Sequence, residues 1–516
     1  MTLDLTRASS YWFALLPEIV LCAWAMLVLI VDVAQKGNRA EPSRPMIGWL
    51  SLAGIVVAAV ANTFLLRMES AAPGAAMIAL DEFRVFINFV ILTSAALTLL
   101  MAQGYLDRRG INRGEFHGLV LFATVGMMLM AGSRDLLMVF VALELMSIAI
   151  YVLAGFDRLD ERSVEGALKY FLLGAFSSAF FLFGIALSWG ATGTTDIVLM
   201  ARLVLDGSAQ VSPLLLAGMA MLMVGFGFKV AAMPFHMWTP DAYDGAPTPV
   251  TSLMSTGVKA AAFASFIRVF MVGFGGAIER WQEIGFWIAA VTMIGANLIA
   301  MTEGSLKRML AYSSIAHAGY LLVALMSASP NGAAAFLFYL LVYTLMTAGA
   351  FAILVANSRE ATGQERVSLE DWAGFAYEKP VLAGLFAVFL LSLAGFPLTA
   401  GFLGKLYILR AAVESGLTPL AVILVLASLV SYFYYLRVIV VMYMTPARVA
   451  GEHRAARLPS PTMAGVVVAA LLVVGLFFAG NGPMKWAKRS AATLWEEVGS
   501  AGTGTAAASG PIARVP

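Results

Sequence analysis

The sequence predicts an all-α integral membrane protein with about fourteen transmembrane helices, and three observations carry that expectation. Of its 516 residues, 60% are hydrophobic and only 12% are charged, with a mean hydropathy of +0.85, whereas soluble domains carry roughly 25% charged residues. Apolar runs of about 20 residues recur along the chain, the length at which a helix matches the hydrocarbon of a bilayer. Those runs lack the alternating pattern of barrel strands.

The same composition closes off other classes. A net charge of +2 offers no field to attract nucleic acid. Cys22 is the single cysteine and lies inside the first apolar run, which excludes an internal disulfide and an iron–sulfur cluster ligated by this chain alone. There is no G-x-x-x-x-G-K-[ST] loop, and Gly225-Phe226-Gly227 lacks the third glycine and the preceding strand of a dinucleotide site. No cofactor or metal site is expected on the chain.

In order, the first segment, Tyr11 to Val33, is too long for a signal-peptide core and is read as a retained helix. Segments two to four fall at about 46–66, 78–103 and 115–132, and the fifth at 135–155. The sixth, 164–190, is followed by DIVLMARLVLDGSAQV, too short and polar to span and read as an amphipathic surface helix over 196–211. The seventh covers 213–238, the eighth 249–272, the ninth to eleventh 284–302, 307–327 and 333–356. The twelfth, 380–410, is too long for one straight span, and Gly395, Pro397 and Gly401 supply an interruption. Segments thirteen (418–443) and fourteen (462–480) precede a tail, GTGTAAASGPIARVP, whose low complexity predicts disorder.

The stretch GFGFKVAAMPFHMWTPDAYDGAPTPVTSLMSTGVK, residues 225–259, organises the rest. Pro234 interrupts the seventh segment, and a broken helix in a membrane needs a wet or protein-lined place. Lys229 and Lys259 both lie too deep to reach the headgroups, so each reads as part of an ion or proton path, the alternative being a structural pair with an acid such as Glu144. Glu144 sits near the middle of the fifth segment without a cation on its own helix. It must find a partner on another helix, reach water or stay protonated. Lys169 pairs with Glu165 at i, i+4 and, one turn inside the boundary, fits a headgroup anchor as well as a functional group. His317 in the tenth segment can pass a proton between its ring nitrogens or can simply bridge Ser314 and Tyr320. Lys405 follows the break at Pro397.

Laid side by side, these positions predict an internal symmetry. Segments five and ten begin with Arg134 and Lys307 and carry Glu144 and His317 ten positions later. Segments seven and twelve are each proline-broken and each hold one lysine, Lys229 and Lys405. Units of five helices, 4–8 and 9–13, have odd parity and so are inverted, the arrangement that places transporter sites at the midplane on broken helices. The expected organisation is therefore 1–110 (helices 1–3), 111–275 and 276–445 (the two repeats), and 446–516 (helix 14 and tail). Basic residues collect in loops on one side, Arg108, Arg109, Arg113, Arg158, Arg162, Lys307 and Arg308 among them. The positive-inside rule then puts both termini on the outer face.

The runs PFHMWTPDAYDGAPTPVT, LELMSIAIYVLAGFDRLDERSVEGALKYFLLGAF, KRMLAYSSIAHAGY and GFPLTAGFLGKLY resemble the antiporter-like membrane subunits of proton-translocating NADH:quinone oxidoreductase, respiratory complex I. The wording YDGAPTPVT, and a lysine rather than a glutamate in the twelfth helix, is most similar to the subunit N branch of that family. The resemblance implies that Glu144, Lys229, Lys259 and Lys405 correspond to the proton-translocation residues, that Lys169 corresponds to the partner on helix six, and that His317 belongs to the polar axis joining two half-channels. It also implies sister antiporter-like subunits and the lipid bilayer as partners. NADH, FMN, iron–sulfur clusters and quinone would be held by other subunits, in a bacterial inner membrane. Ser255-Thr256-Gly257 stands where the family leads one to expect a proline close to the lysine, so the local geometry of helix eight is an open point. A subunit of a multisubunit cation/proton antiporter, or a structural subunit without a proton path, are the alternatives.

Overall fold

The computed structural model describes residues 12–35, 45–66, 77–358, 365–446 and 460–500. Fourteen crossings run through them: helices one Leu16–Gln35, two Pro45–Leu65, three Glu82–Arg109, four Gly114–Gly132, five Leu136–Ala154, six Glu161–Thr192 and seven Pro213–Val230, then eight Thr248–Gly273, nine Ile278–Thr302, ten Leu306–Met326, eleven Pro330–Ala356, thirteen Thr418–Met444 and fourteen Ser460–Ala479, with the twelfth made of two pieces, Pro380–Ala394 and Ala400–Glu414. The expected multi-pass all-α architecture is present. Helices eight, ten and eleven are almost wholly buried, and the outer helices one, six, thirteen and fourteen present apolar residues outward.

Short polar caps set the helix starts. Asp81, Asp135, Asp160, Asp196, Ser212, Ser305 and Ser329 each accept from a backbone amide of the following turn, which satisfies donors that a helix otherwise leaves open. Helix nine starts six residues before its expected position, because the charged run around Glu279 and Arg280 forms an exposed first turn. The surface helix after helix six covers only Ile197–Leu205, and Gly207 at φ 77° turns the chain away. A helix that the sequence reading did not anticipate, Asn481–Ser500, lies against helices three and eleven. Trp486 packs there on Phe86 and Phe89, with centroids 4.4 and 5.9 Å away, and Arg489 pairs with Glu82 at 2.6 Å. The low-complexity tail, 502–516, lies outside the described residues.

Both expected breaks are present, with the turns made by other residues than the prolines. Helix seven stops at Val230 where Ala231 takes a left-handed φ of 62°, and Pro234 lies within the link 231–238. Helix twelve stops at Ala394 with Gly395 at φ 87°, and Pro397 lies within 395–399. A left-handed residue turns the chain out of the helix and lets its amide cap the last carbonyls; Pro234 and Pro397 keep the links from resuming it. Helix eight needs no proline: Met254–Val258 forms a π turn immediately before Lys259, a distortion that commonly marks functional positions.

The internal symmetry shows in two matching backbone bridges. Leu136 N donates to Thr195 O at 2.9 Å and Ile197 N to Arg134 O at 3.0 Å, tying the start of helix five to the link after helix six. Leu306 N donates to Val367 O at 2.7 Å and Leu369 N to Gly304 O at 2.9 Å, tying the start of helix ten to the link after helix eleven. Five crossings separate them, so they lie on opposite faces, as inversion requires. Their register matches Leu136 with Leu306, hence Glu144 with Ser314 and Ser147 with His317. The sequence comparison of Glu144 with His317 is therefore corrected by three residues: it counted from Arg134 and Lys307, which are not equivalent positions.

Beside the second bridge a carboxylate clasps the ends of several helices. Glu365 accepts from Lys307 Nζ at 2.9 Å, from Tyr105 Oη at 2.7 Å and from the Thr248 hydroxyl, while Lys307 also donates to Ala246 O at 2.6 Å. Burial alone would raise the Glu365 carboxyl, but Lys307 and the Thr248 and Tyr105 hydroxyls outweigh it and hold the group below its ordinary value of 4.5. Glu365→Gln leaves Lys307 buried without a counter-charge and is expected to lower the stability of the purified protein by about 3 kcal/mol near neutral pH. Because the folded carboxyl titrates lower than the unfolded one, its contribution is whole above pH 4.5 and is lost as the pH falls below that value through the depressed one. Thermal melting of wild type and variant in detergent checks this: the gap should stay level at mildly acidic pH and close below pH 4.5, and a gap widening in acid would contradict it. At helix twelve, a Cβ on Gly401 would come within 2.0 Å of Ser392 O. Gly401→Ala is expected to cost about 1–3 kcal/mol, seen as a lower melting temperature.

Candidate functional site

The left-handed turn at Ala231 ends helix seven inside the bundle, and Lys229 lies on its last turn, buried. Its ammonium donates to Ser147 Oγ at 2.8 Å and Tyr151 Oη at 3.3 Å on helix five. It lies 5.3 Å from the centroid of the Tyr151 ring and 5.7 Å from that of Tyr170, close enough for the ring faces to attract a cation. Glu144, Ser147 and Tyr151 follow at i, i+3 and i+7 and so share one helix face. Glu144 is half-buried and accepts from the Ser178 hydroxyl of helix six. Among the described residues Glu144 and Lys229 form no direct ion pair; Ser147, one turn along from Glu144, holds the lysine.

The second cluster is built around helix ten. Lys259, just beyond the π turn, donates to Ser314 O at 2.6 Å and Ser314 Oγ at 2.5 Å, and Tyr343 Oη of helix eleven donates to the same hydroxyl at 2.8 Å. One turn further, His317 Nδ1 lies 2.6 Å from Tyr339 Oη and Nε2 lies 3.2 Å from Tyr435 Oη, which also meets Ser313. The alternative for His317, a bridge to Ser314 and Tyr320, differs from what is found: Ser314 serves Lys259, and Tyr320 touches the imidazole edge-on at 5.2 Å.

Tyr320 also faces Lys405, whose ammonium lies 4.8 Å from the ring centroid. Lys405 rises from the second piece of helix twelve and donates back to Leu393 O at 3.0 Å and Ala394 O at 2.8 Å, the last carbonyls of the first piece. A cation at a helix C-terminus meets both unpaired acceptors and the negative end of the dipole. The break therefore builds the lysine's site out of backbone.

Lys169 stands apart from this line. Its side chain is 43% exposed and bridges Glu165 at 2.6 Å and Asp241 at 2.7 Å. Asp241 also takes Arg308 at 2.8 Å, so one carboxylate joins helix six, the segment after the helix-seven break and the start of helix ten. Burial would raise the Asp241 carboxyl, but Lys169 and Arg308 prevail and hold it low. His236 lies in the link, half-buried, and takes no part in either cluster.

Sequence reasoning singled out the charges and passed over the hydroxyls that receive them, Ser147, Tyr151, Ser178, Tyr339, Tyr343 and Tyr435. Helical spacing from Glu144 could have found Ser147 and Tyr151. Nothing local marks Tyr339 or Tyr435, which approach His317 from other helices. Asp241 and Glu365 lie on the face where helices six, eight and ten begin, where carboxylates are ordinary in sequence terms.

Chemically, the arrangement offers four buried basic groups, each bound to neutral oxygen atoms or rings, spread over both repeats. Residues 133–431 match the family model "NADH:quinone oxidoreductase/Mrp antiporter, TM". A curated relative in Trichlorobacter lovleyi, NADH-quinone oxidoreductase subunit N, is 45% identical over 434 residues, 84% of this chain and 87% of that protein. A chain of respiratory complex I from Thermus thermophilus with bound aureothin superposes with a TM-score of 0.77 at 34% identity, covering 91% of this chain and 98% of that one. The Mrp complex of Dietzia sp. holds a chain with TM-score 0.80 at 20% identity, covering 94% and 98%, which shows the shared fold. Identity at this level over most of both chains, on a fold with the same broken helices and buried bases that the motifs announced, means that the chain belongs to the NADH-quinone oxidoreductase subunit N family.

Proposed function

We propose that the chain is a proton-translocating membrane subunit of NADH:quinone oxidoreductase, and that Glu144, Lys229, Lys259, His317 and Lys405 carry the proton. The observation that supports this most is the partnering of the buried bases. Lys229, Lys259 and Lys405 are held by hydroxyls, carbonyls and ring faces, with no carboxylate bound to any of them among the described residues. Such partners accept hydrogen bonds from an ammonium and still leave a neutral amine tolerable, so each lysine can exist in either state.

In this reading Glu144 is the control. With its carboxylate turned toward Lys229, the nearby opposite charge favours the ammonium; turned to Ser178, as here, it loosens that hold. The proton moves to Lys259 and along Ser314, His317 and their tyrosines to Lys405. The energy comes from redox chemistry in other subunits, through a two-state change that both sites bias. NADH, FMN, iron–sulfur clusters and quinone belong to those subunits; Cys22, the single cysteine of the sequence, could not ligate a cluster alone. Lys169, with Asp241, joins the repeats at the face where the basic loops gather. That face is cytoplasmic in a bacterial inner membrane, with both termini periplasmic and sister antiporter-like subunits alongside.

Replacing Lys229 or Glu144 by alanine in the assembled complex is expected to lower the protons moved per NADH oxidised while the complex still forms, measured with a pH-sensitive dye in inverted membrane vesicles; pumping per electron equal to wild type would remove the assignment. Lys405→Ala is expected to behave likewise, and more steeply than Lys169→Ala, because Lys405 is buried on the line whereas Lys169 is exposed beside it.

A further inference from the structure

The line described above has an interruption: among the described residues no hydrogen bond joins the Lys229 cluster to the Lys259 cluster. Two aromatic hydroxyls occupy the interval. Tyr170 of helix six meets Tyr151 edge-on with centroids 4.7 Å apart, and Lys229 Nζ lies 5.7 Å from its own ring centroid. The indole of Trp238 stacks on Tyr170 at 4.1 Å and touches Tyr243 edge-on at 5.9 Å. Tyr243, on the short helix Thr239–Gly245, neighbours Ser314 and Tyr343, the two hydroxyls that hold and support Lys259. Rings thus run from one lysine to the other.

Tyr170 and Tyr243 are both 0% exposed, and among the described residues neither Oη forms a hydrogen bond, although Tyr243 lies beside the Ser314 hydroxyl. A buried hydroxyl left without a hydrogen bond costs about 1–3 kcal/mol, and buried polar groups of this kind are ordinarily met by internal water. We propose that Tyr170 and Tyr243 hold, through their hydroxyls, the water molecules that pass a proton between Lys229 and Lys259. This rests on the reading of the two lysines as proton carriers. The ammonium of Lys229 gives one proton to the first water and becomes a neutral amine; the last water gives one to the neutral amine of Lys259, which becomes an ammonium. Each tyrosine accepts one hydrogen bond and donates one, with no change in its own protonation. They are positioning residues, and Trp238 fixes the distance between them.

The substitutions Tyr170→Phe and Tyr243→Phe remove one oxygen each and keep the rings. The assembled complex carrying both changes, in inverted vesicles, is expected to oxidise NADH, to show normal assembly on a native gel, and to lose proton translocation to the level of Lys259→Ala. If the interval is dry instead, the double variant removes two unsatisfied groups, melts at an equal or higher temperature and pumps as wild type, and the proposal is overturned. Wild-type pumping by Lys229→Ala and Lys259→Ala themselves would sink the proton-carrier reading rather than the water site. The site is then decided by a high-resolution cryo-EM map of the wild-type complex: ordered density within hydrogen-bond distance of both hydroxyls supports it, and packed side chains with no such density overturn it.

Discussion

Three ammonium-bearing side chains sit inside a bundle that hydrocarbon surrounds, and the rest of the structure follows from the need to solvate them there. A charge in such a place is expensive unless hydrogen-bonded. Water-exposed loops could do it only by opening the bundle. The protein instead interrupts two helices and uses what the interruptions release. At helix twelve the released carbonyls of Leu393 and Ala394 bind Lys405 directly. At helix seven the turn at Ala231 stops the helix one residue beyond Lys229, and the link that follows stacks Trp238 on Tyr170, whose ring lies near the lysine. At helix eight a π turn precedes Lys259 and the chain stays continuous. Each of the three lysines therefore lies beside a backbone distortion, a left-handed break for Lys229 and Lys405 and a π turn for Lys259.

The inverted repeat explains why the distortions fall where they do. Odd units turn the second set upside down, so the break in helix seven and the break in helix twelve approach the middle from opposite faces. The two bridges, at Leu136–Thr195 and Leu306–Val367, anchor each set at its own face. Between them the register places Ser314 where the first set has Glu144. In one half the position holds a carboxylate and in the other a hydroxyl bound to a lysine. Equivalent backbone sites thus carry unlike chemistry.

How far the sequence reaches is clear from particular residues. The places of Glu144, Lys229, Lys259, His317 and Lys405 within the helices were legible because an ionisable group stands out against an apolar run. Their partners were not, because serine and tyrosine are common in membrane helices and the approach of Tyr435 to His317 spans 118 positions. The prolines marked the links, while the turns belong to Ala231 and Gly395; alanine carries no signal for a left-handed backbone. The helix Asn481–Ser500 was missed because Lys485, Lys488 and Arg489 interrupt any apolar run, whereas its apolar side, with Trp486, covers helix three. The repeat register slipped by three residues because basic residues were aligned in place of backbone pairings.

The distribution of carboxylates separates structural charge from mobile charge. Toward the membrane faces every described pair is conventional: Lys307 with Glu365, Arg268 with Asp81, Arg84 with Glu18, Lys169 with Glu165 and Asp241. In the middle, the lysines have none. An ion pair about 4 Å long is worth about 4 kcal/mol at an effective dielectric of about 20, which makes a paired lysine roughly a thousandfold more reluctant to release its proton, at about 1.36 kcal/mol per decade. A chain selected only to be stable would have no reason to keep salt bridges at its rims and neutral partners at its centre. A chain that must let charge leave does, and in the proposed reading the half-buried Glu144, turned to Ser178 and one helical turn from the serine that holds Lys229, is the carboxylate that reverses that condition.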